Sequence, residues 1–328
     1  MSATAVFDAT SDLGVRFRLV GLLPTVVVGL FALALYWSGA PASAPDPGQV
    51  TEHAENLSAW EGFIIALALL VAALIVEPLQ ISLVRALEGY WGTSFIARML
   101  STPGVTFHRW RRTRFGRMQQ RKQGGPRVRS AAVRENAARR YRSYPPADAV
   151  LPTKLGNQLR AAEYRAGNRY GFDTVAMWPR LYPLLPAGVT AGLNDFRDQL
   201  DLAARFCAMF LLATLVSIAF LAAHGWWLMV AVGTLLLAWM SYRGALAAAS
   251  GYGQAVESAF DLHRFDLVRA LHLPVPGDLA SERASNRMLS NFILRPEEYT
   301  FTLDKRPEQN FVYEHGDDEA AKEQGPEA

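Results

Sequence analysis

The stretch FCAMFLLATLVSIAFLAAHGWWLMVAVGTLLLAWMSYR, Phe206–Arg243, decides the fold. Phe206–Ala223 carries no charged side chain. Trp226–Met240 carries none either, and Tyr242 and Arg243 close the run. A helix rises 1.5 Å per residue, so about 20 apolar residues cross a hydrocarbon core of about 30 Å. Only His224 and Gly225 separate the two runs, which predicts a tight helical hairpin. Trp226 and Trp227 suit the headgroup level, where an apolar ring with a polar N–H is favoured.

Two more apolar runs lie towards the N-terminus. Leu19–Trp37 is uncharged and holds Pro24 near its start, where a bend is tolerated. Phe63–Val76 is short alone. Extended from Trp60 to Val84, across Glu77 and Pro78, it becomes a span with an irregular inner end. Orientation follows from the basic residues. Ser38–Ala59 has no Lys or Arg but holds Asp46, Glu52 and Glu55, whereas Arg16 and Arg18 stand just before the first span. Short loops rich in Lys and Arg stay in the cytoplasm. The reading is a protein of the cell inner membrane, multi-pass, with both termini cytoplasmic. A competing reading takes Ala42-Ser43-Ala44 as a signal-peptidase site. Against it stand the length of the run, Asp8 and Asp12 in the leader, and Pro45 after the cut. Cleavage would leave three spans.

The 328 residues are 51% hydrophobic, which fits a chain part in lipid and part in water. The net charge of +3 is unevenly spread. Arg98–Arg180 holds 19 Lys/Arg against 4 Asp/Glu, a net +15; from Pro296 onward 10 acids face 3 bases, a net −7. Such polarity points to a membrane surface, a nucleic acid, or one part of the chain neutralising another. The single cysteine, Cys207, excludes an intrachain disulfide and reads as a small buried hydrophobe.

The basic region concentrates in VTFHRWRRTRFGRMQQRK, residues 105–122, where Phe107, Trp110 and Phe115 alternate with Arg109, Arg111, Arg112, Arg114 and Arg117. Beside a span, this pattern points to anionic lipid headgroups, at about 1 kcal/mol per basic residue near the surface. The aromatics would enter the interface. The same pattern can grip single-stranded nucleic acid. Tethering beside a bilayer makes lipid the better partner. Gly124-Gly125-Pro126 breaks the segment, and a short basic helix follows over Arg127–Arg142.

Residues 151–186 read LPTKLGNQLRAAEYRAGNRYGFDTVAMWPRLYPLLP. Leu155, Leu159 and Ala162 have helical spacing. Gly167 and Gly171 stop that helix, and Asp173 caps a second one limited by Pro179 and Pro183. Val175, Trp178, Leu181, Tyr182 and Leu185 form its expected apolar face, more simply a docking surface than a ligand pocket. The third span is expected to begin as a helix near Val189, with Leu193, Phe196 and Leu200 on one face. The fourth is expected to continue to about Leu271. Ala245, Ala249 and Gly253 fall four apart, a seam for close helix packing within the chain or between subunits of a homo-oligomer.

Three stretches are similar to segments of a group of bacterial multi-spanning membrane proteins with no assigned activity: EPLQISLVRALEGYWG (Glu77–Gly92), Pro152–Pro186, and AFDLHRFDLVRALHL (Ala259–Leu273). The resemblance implies an architecture and no reaction. It also implies that Asn157, Glu163, Tyr170, Gly171, Asp173, Trp178, Pro179 and Arg180 belong to one defined unit.

Catalytic signatures are lacking. No phosphate-cradling glycine loop, H-E-x-x-H or serine elbow occurs. Asp261, His263 and Asp266 come nearest to a metal set, but 261 and 263 point about 200° apart on a helix. No cofactor is implied. Glu77, at the inner edge of a span, is the one candidate intramembrane polar site; its plainer reading is a headgroup-level carboxylate paired with Arg85.

The expectation is therefore an all-α, four-helix transmembrane protein, two plus two spans, with a helical cytoplasmic domain. Its parts are 1–18 (cytoplasmic), 19–37 (span 1), 38–59 (external), 60–84 (span 2), 85–205 (basic, cytoplasmic), 206–223 (span 3), 226–243 (span 4), 244–295 (helical extension) and 296–328 (acidic, disordered). The favoured role is a non-enzymatic scaffold, sensor or membrane-targeting module. An oligomeric channel or small transporter, and an anchored effector binding nucleic acid or nucleotide, are the alternatives.

Overall fold

The computed structural model describes residues 24–92, 94–120 and 127–295; the side chains of 77–81, 83 and 127–130 lie outside that description. The expected acidic tail, the leader and the Gly-Gly-Pro break lie outside it too. The described residues are mostly helical, and no strand occurs among them. Three helices are long and apolar enough to cross a membrane: α3 (Ala59–Glu88), α8 (Ala187–Leu221) and α9 (Met229–Ala270). The first apolar run contributes a shorter apolar helix, α1, described over Pro24–Trp37.

The chain forms two compact units. One comprises residues 1–101 with 198–248, the other 102–197 with 249–328. In the first unit, Val28 of α1 packs on Met209 and Ala213 of α8, with Phe31 and Val76 beside them. Leu35, Ala40 and Leu221 form a second cluster with Phe220, Trp227 and Val230. Gly29 lets α1 approach α3 closely, since a Cβ there would stand 2.4 Å from Leu69 Cδ2. Outward, Leu67, Leu70 and Leu74 of α3 and Leu215, Leu235 and Leu236 of α8 and α9 are exposed. So many large exposed apolar side chains on uncharged helices are what a lipid environment selects.

The buried hydroxyls of α8 and α9 find partners within the helices. Thr214 Oγ1 donates to Phe210 O at 2.7 Å and lies 3.0 Å from Thr234 Oγ1, while Ser217 Oγ donates to Ala213 O at 2.7 Å. Cys207 is buried in α8, as a small apolar residue would be. The hairpin expected at His224-Gly225 is present. α8 ends at Leu221, Gly225 adopts φ +54°, and a 3₁₀ turn over Gly225–Leu228 leads into α9.

Between α1 and α3 the expected external loop contains a helix of its own, α2 (Pro47–Glu55). Asp46 caps it, its Oδ1 accepting from Gly48 N at 2.8 Å. A reciprocal capping box then starts α3: Ser58 Oγ accepts from Glu61 N, and Glu61 Oε2 accepts from Ser58 N at 2.9 Å. α3 runs on through Glu77 and Pro78 to Glu88 and ends at Gly89 in the left-handed region.

The second unit contains most of α4 (Phe95–Gln120), then α5 (Arg127–Arg142), α6 (Lys154–Ala166), α7 (Thr174–Leu181), the start of α8, the end of α9 and α10 (Leu279–Leu294). Its core joins Phe172, Met177, Leu181, Leu185, Leu193, Phe260, Leu267 and Leu289. Trp178 stacks on Phe260 with centroids 6.1 Å apart. Of the apolar face expected for α7, Trp178, Leu181, Tyr182 and Leu185 join the core or pack on it, whereas Val175 is exposed and Met177 is buried in its place. The cap at Asp173 sets the helix phase, so Thr174, Met177 and Leu181 point inward. α10 was not foreseen as a separate helix. Asp278 starts it by accepting from Ala280 N and Ser281 N, bonds that hold its carboxyl below the usual range.

Candidate functional site: the two faces of the arginine-rich helix

At 100° per residue, Phe107, Trp110, Arg114 and Arg117 fall on one face of α4, and His108, Arg112 and Phe115 on another. The second face is bound to the chain itself. Arg112 Nε donates to Pro145 O at 2.8 Å and its Nη2 to Tyr141 OH at 3.0 Å, with the guanidinium 5.0 Å from the Tyr141 ring. Arg109 Nε donates to Ala147 O at 3.0 Å. Phe115 is buried, with the Arg111 and Arg140 guanidinium groups 5.5 and 5.7 Å from its ring. His108 is buried against Tyr144, Nδ1 to OH 3.0 Å. Burial, then the charges of Arg111 and Lys154, hold its imidazole down at about 4, so it is neutral at pH 7.

The first face is open. Trp110, Thr113, Arg114, Arg117 and Met118 line a groove of about 540 Å³. The Arg114 guanidinium lies 5.4 Å from the Trp110 ring, and Phe107 and Trp110 are 50% and 55% exposed. α4 has no Asp or Glu along its length, and its first turns expose Phe95, Ile96, Met99 and Leu100. The five arginines and Trp110 therefore divide. Arg109 and Arg112 hold the 141–147 segment, Arg111 bridges Phe107 and Phe115, and Trp110, Arg114 and Arg117 present a cationic, aromatic surface.

No family model matches the chain, and no curated protein or solved structure matches it either. Its chemistry is read from the side chains themselves.

The 151–186 unit is built mainly for packing. Asn157 is fully buried. Its Oδ1 accepts from Leu151 N at 2.8 Å, and its Nδ2 donates to Leu151 O and Thr153 O. Gly171, at φ +86°, passes so close to α10 that a Cβ would stand 2.5 Å from Arg283 O. Tyr170 OH donates to Asp261 at 2.7 Å, Arg165 pairs with Glu257 at 2.7 Å, and Arg264 pairs with the buried Glu282 at 2.9 Å. Asp261 is thus taken up by Tyr170 and Arg169, and His263 pairs with Asp266. No group of three metal-ligating side chains occurs among the described residues.

Glu163 is the exception in this unit. It lines a cavity of about 90 Å³ with Leu159, Thr174, Trp178, Tyr252 and Val256. Burial raises its carboxyl above the usual range, and Arg160 only partly offsets this.

The small-residue seam is occupied within the chain. Ala249 and Gly253 are buried in the second unit, where a Cβ on Gly253 would stand 2.7 Å from Ala162 Cβ, and Ala245 is buried in the first. The Glu77 side chain lies outside the described residues.

Proposed function

We propose that this chain is a four-span membrane protein with both termini cytoplasmic, acting without catalysis as a scaffold, sensor or targeting module that binds anionic lipid headgroups. The carrying observation is the open face of α4. Trp110, Arg114 and Arg117 border a groove with no acidic neighbour on their helix, and Phe107 is exposed beside them. Aromatic rings at the interface with guanidinium groups at phosphate level form the expected complement of an anionic bilayer surface. Orientation rests on the basic residues: none lies between Arg18 and Arg85. The channel alternative draws less support. Thr214, Ser217 and Thr234 spend their hydroxyls on one another and on helix carbonyls, which leaves little to line a polar path.

The test uses the full chain in nanodiscs of phosphatidylcholine with and without phosphatidylglycerol. Anionic lipid should raise the thermal midpoint and shift Trp110 emission to the blue. The double substitution Arg114→Gln/Arg117→Gln should weaken the lipid preference about 30-fold, at about 1 kcal/mol per arginine. Salt should erode the preference in the unaltered chain. An equal response in neutral lipid would remove the proposal, and strong salt-dependent retention on oligonucleotides instead would favour nucleic acid.

A further inference from the structure

The first unit contains a second cleft, unconnected with the arginine face. Trp37 ends α1, Gln49, Glu52 and His53 come from α2, Asn56 and Leu57 from the α2–α3 connection, and Glu61, Ile64 and Ile65 from the start of α3. They border an open groove of about 740 Å³, and most of them are exposed.

The walls around it are fixed. Asp46 N donates to Ser38 O at 2.9 Å, His224 Nε2 lies 3.0 Å from Pro41 O, α2 ends on the bond from Asn56 N to Glu52 O, and the Ser58–Glu61 capping box starts α3. His53 Nδ1 donates to Gln49 O at 2.7 Å, which fixes the tautomer and leaves Nε2 as an acceptor. Its ring stacks on Trp37, centroids 5.9 Å apart and 15° from parallel. Glu61 uses only Oε2 in the capping box.

The lining has a definite polarity. It combines two carboxylates, an imidazole nitrogen and two amide oxygens with the apolar surfaces of Trp37, Leu57, Ile64 and Ile65. No Lys or Arg lines it, and none occurs anywhere from residue 19 to 84. We infer that this cleft binds a primary ammonium carried on an apolar stem. Three N–H donors meet carboxylate, imidazole and amide acceptors, the positive charge meets an uncompensated acidic lining, and the stem lies along Trp37, Ile64 and Ile65. An ethanolamine lipid headgroup fits less well, because its phosphate would find no cation there. The inference does not depend on lipid binding by α4.

The experiment is calorimetric titration of the full chain in phosphatidylcholine nanodiscs with 2-phenylethylammonium and, in parallel, neutral 2-phenylethanol. The ammonium should saturate at one site per chain and bind about tenfold more tightly than the alcohol, the effect of about 1.4 kcal/mol of charge complementarity. Glu52→Gln, on an exposed turn that makes no cap, should weaken the ammonium about tenfold and leave the alcohol unchanged. Its unaltered thermal midpoint would certify the fold. Absence of saturable ammonium binding, equal affinity for the alcohol, or indifference to Glu52→Gln overturns the inference. So does competition by phosphatidylethanolamine in the nanodisc that abolishes the amine site, since the occupant is then lipid.

Discussion

Asn157 and Glu163 sit six residues apart on α6 and show opposite uses of a polar side chain, the first fully buried and the second half-buried. Asn157 closes the loop before its own helix with three hydrogen bonds, so Asn157→Ala leaves the part-buried Leu151 N and O without those partners. A loss of about 3 kcal/mol is expected in chemical or thermal unfolding. Removing the half-exposed Arg169–Asp261 pair with Arg169→Gln should cost less than about 1 kcal/mol. Glu163 carries a carboxyl raised by burial. The folded state holds that proton more firmly than the unfolded state does. The stabilisation is therefore complete below the ordinary value of 4.5 and is lost as pH rises through the raised one. Glu163→Gln should melt higher than the unaltered chain at pH 8, and the gap should close towards pH 4. A gap that widens on acidification would contradict the assignment. Asn157 and Glu163 looked alike in the sequence, as polar letters in one motif. Only the cavity beside one and the loop behind the other separate them.

Among the elements, the helices with the longest apolar runs were the easiest to read. The hairpin and continuations of α8 and α9 follow from uncharged length and the small-residue seam, and the start of α7 follows from its cap Asp173. α2 and α10 escaped because neither has a long apolar run; their signals are the caps Asp46 and Asp278, each two residues or fewer from a proline or glycine that reads as loop. On α4 the composition was legible and its division was not. Which arginines turn inward depends on the backbone carbonyls of Pro145 and Ala147, which carry no side-chain signature. The start of α8 offers an element-scale test. Gly188 and Gly192 lie in its first turns, and a Cβ on either meets no atom within 4 Å. Gly188→Ala and Gly192→Ala should each stabilise by about 0.5–1 kcal/mol, read as a higher thermal midpoint. A drop would mean that some other surface rests on that turn.

For the whole molecule, the decisive matter is the path of the chain across the bilayer. Single cysteines at Asp46 and Gln120 should respond oppositely to a membrane-impermeant maleimide applied to intact cells: Asp46→Cys labelled, Gln120→Cys silent until the membrane is opened. Labelling of Gln120→Cys in intact cells would reverse the proposed topology. A silent Asp46→Cys would also reverse it, provided that the site reacts after permeabilisation.

That experiment is helped by the one native thiol. Cys207 is only 3% exposed and lies within an apolar helix, out of reach of a charged, water-borne reagent. The wild-type chain therefore supplies its own blank, and reporter cysteines can be introduced one at a time without first removing a native one.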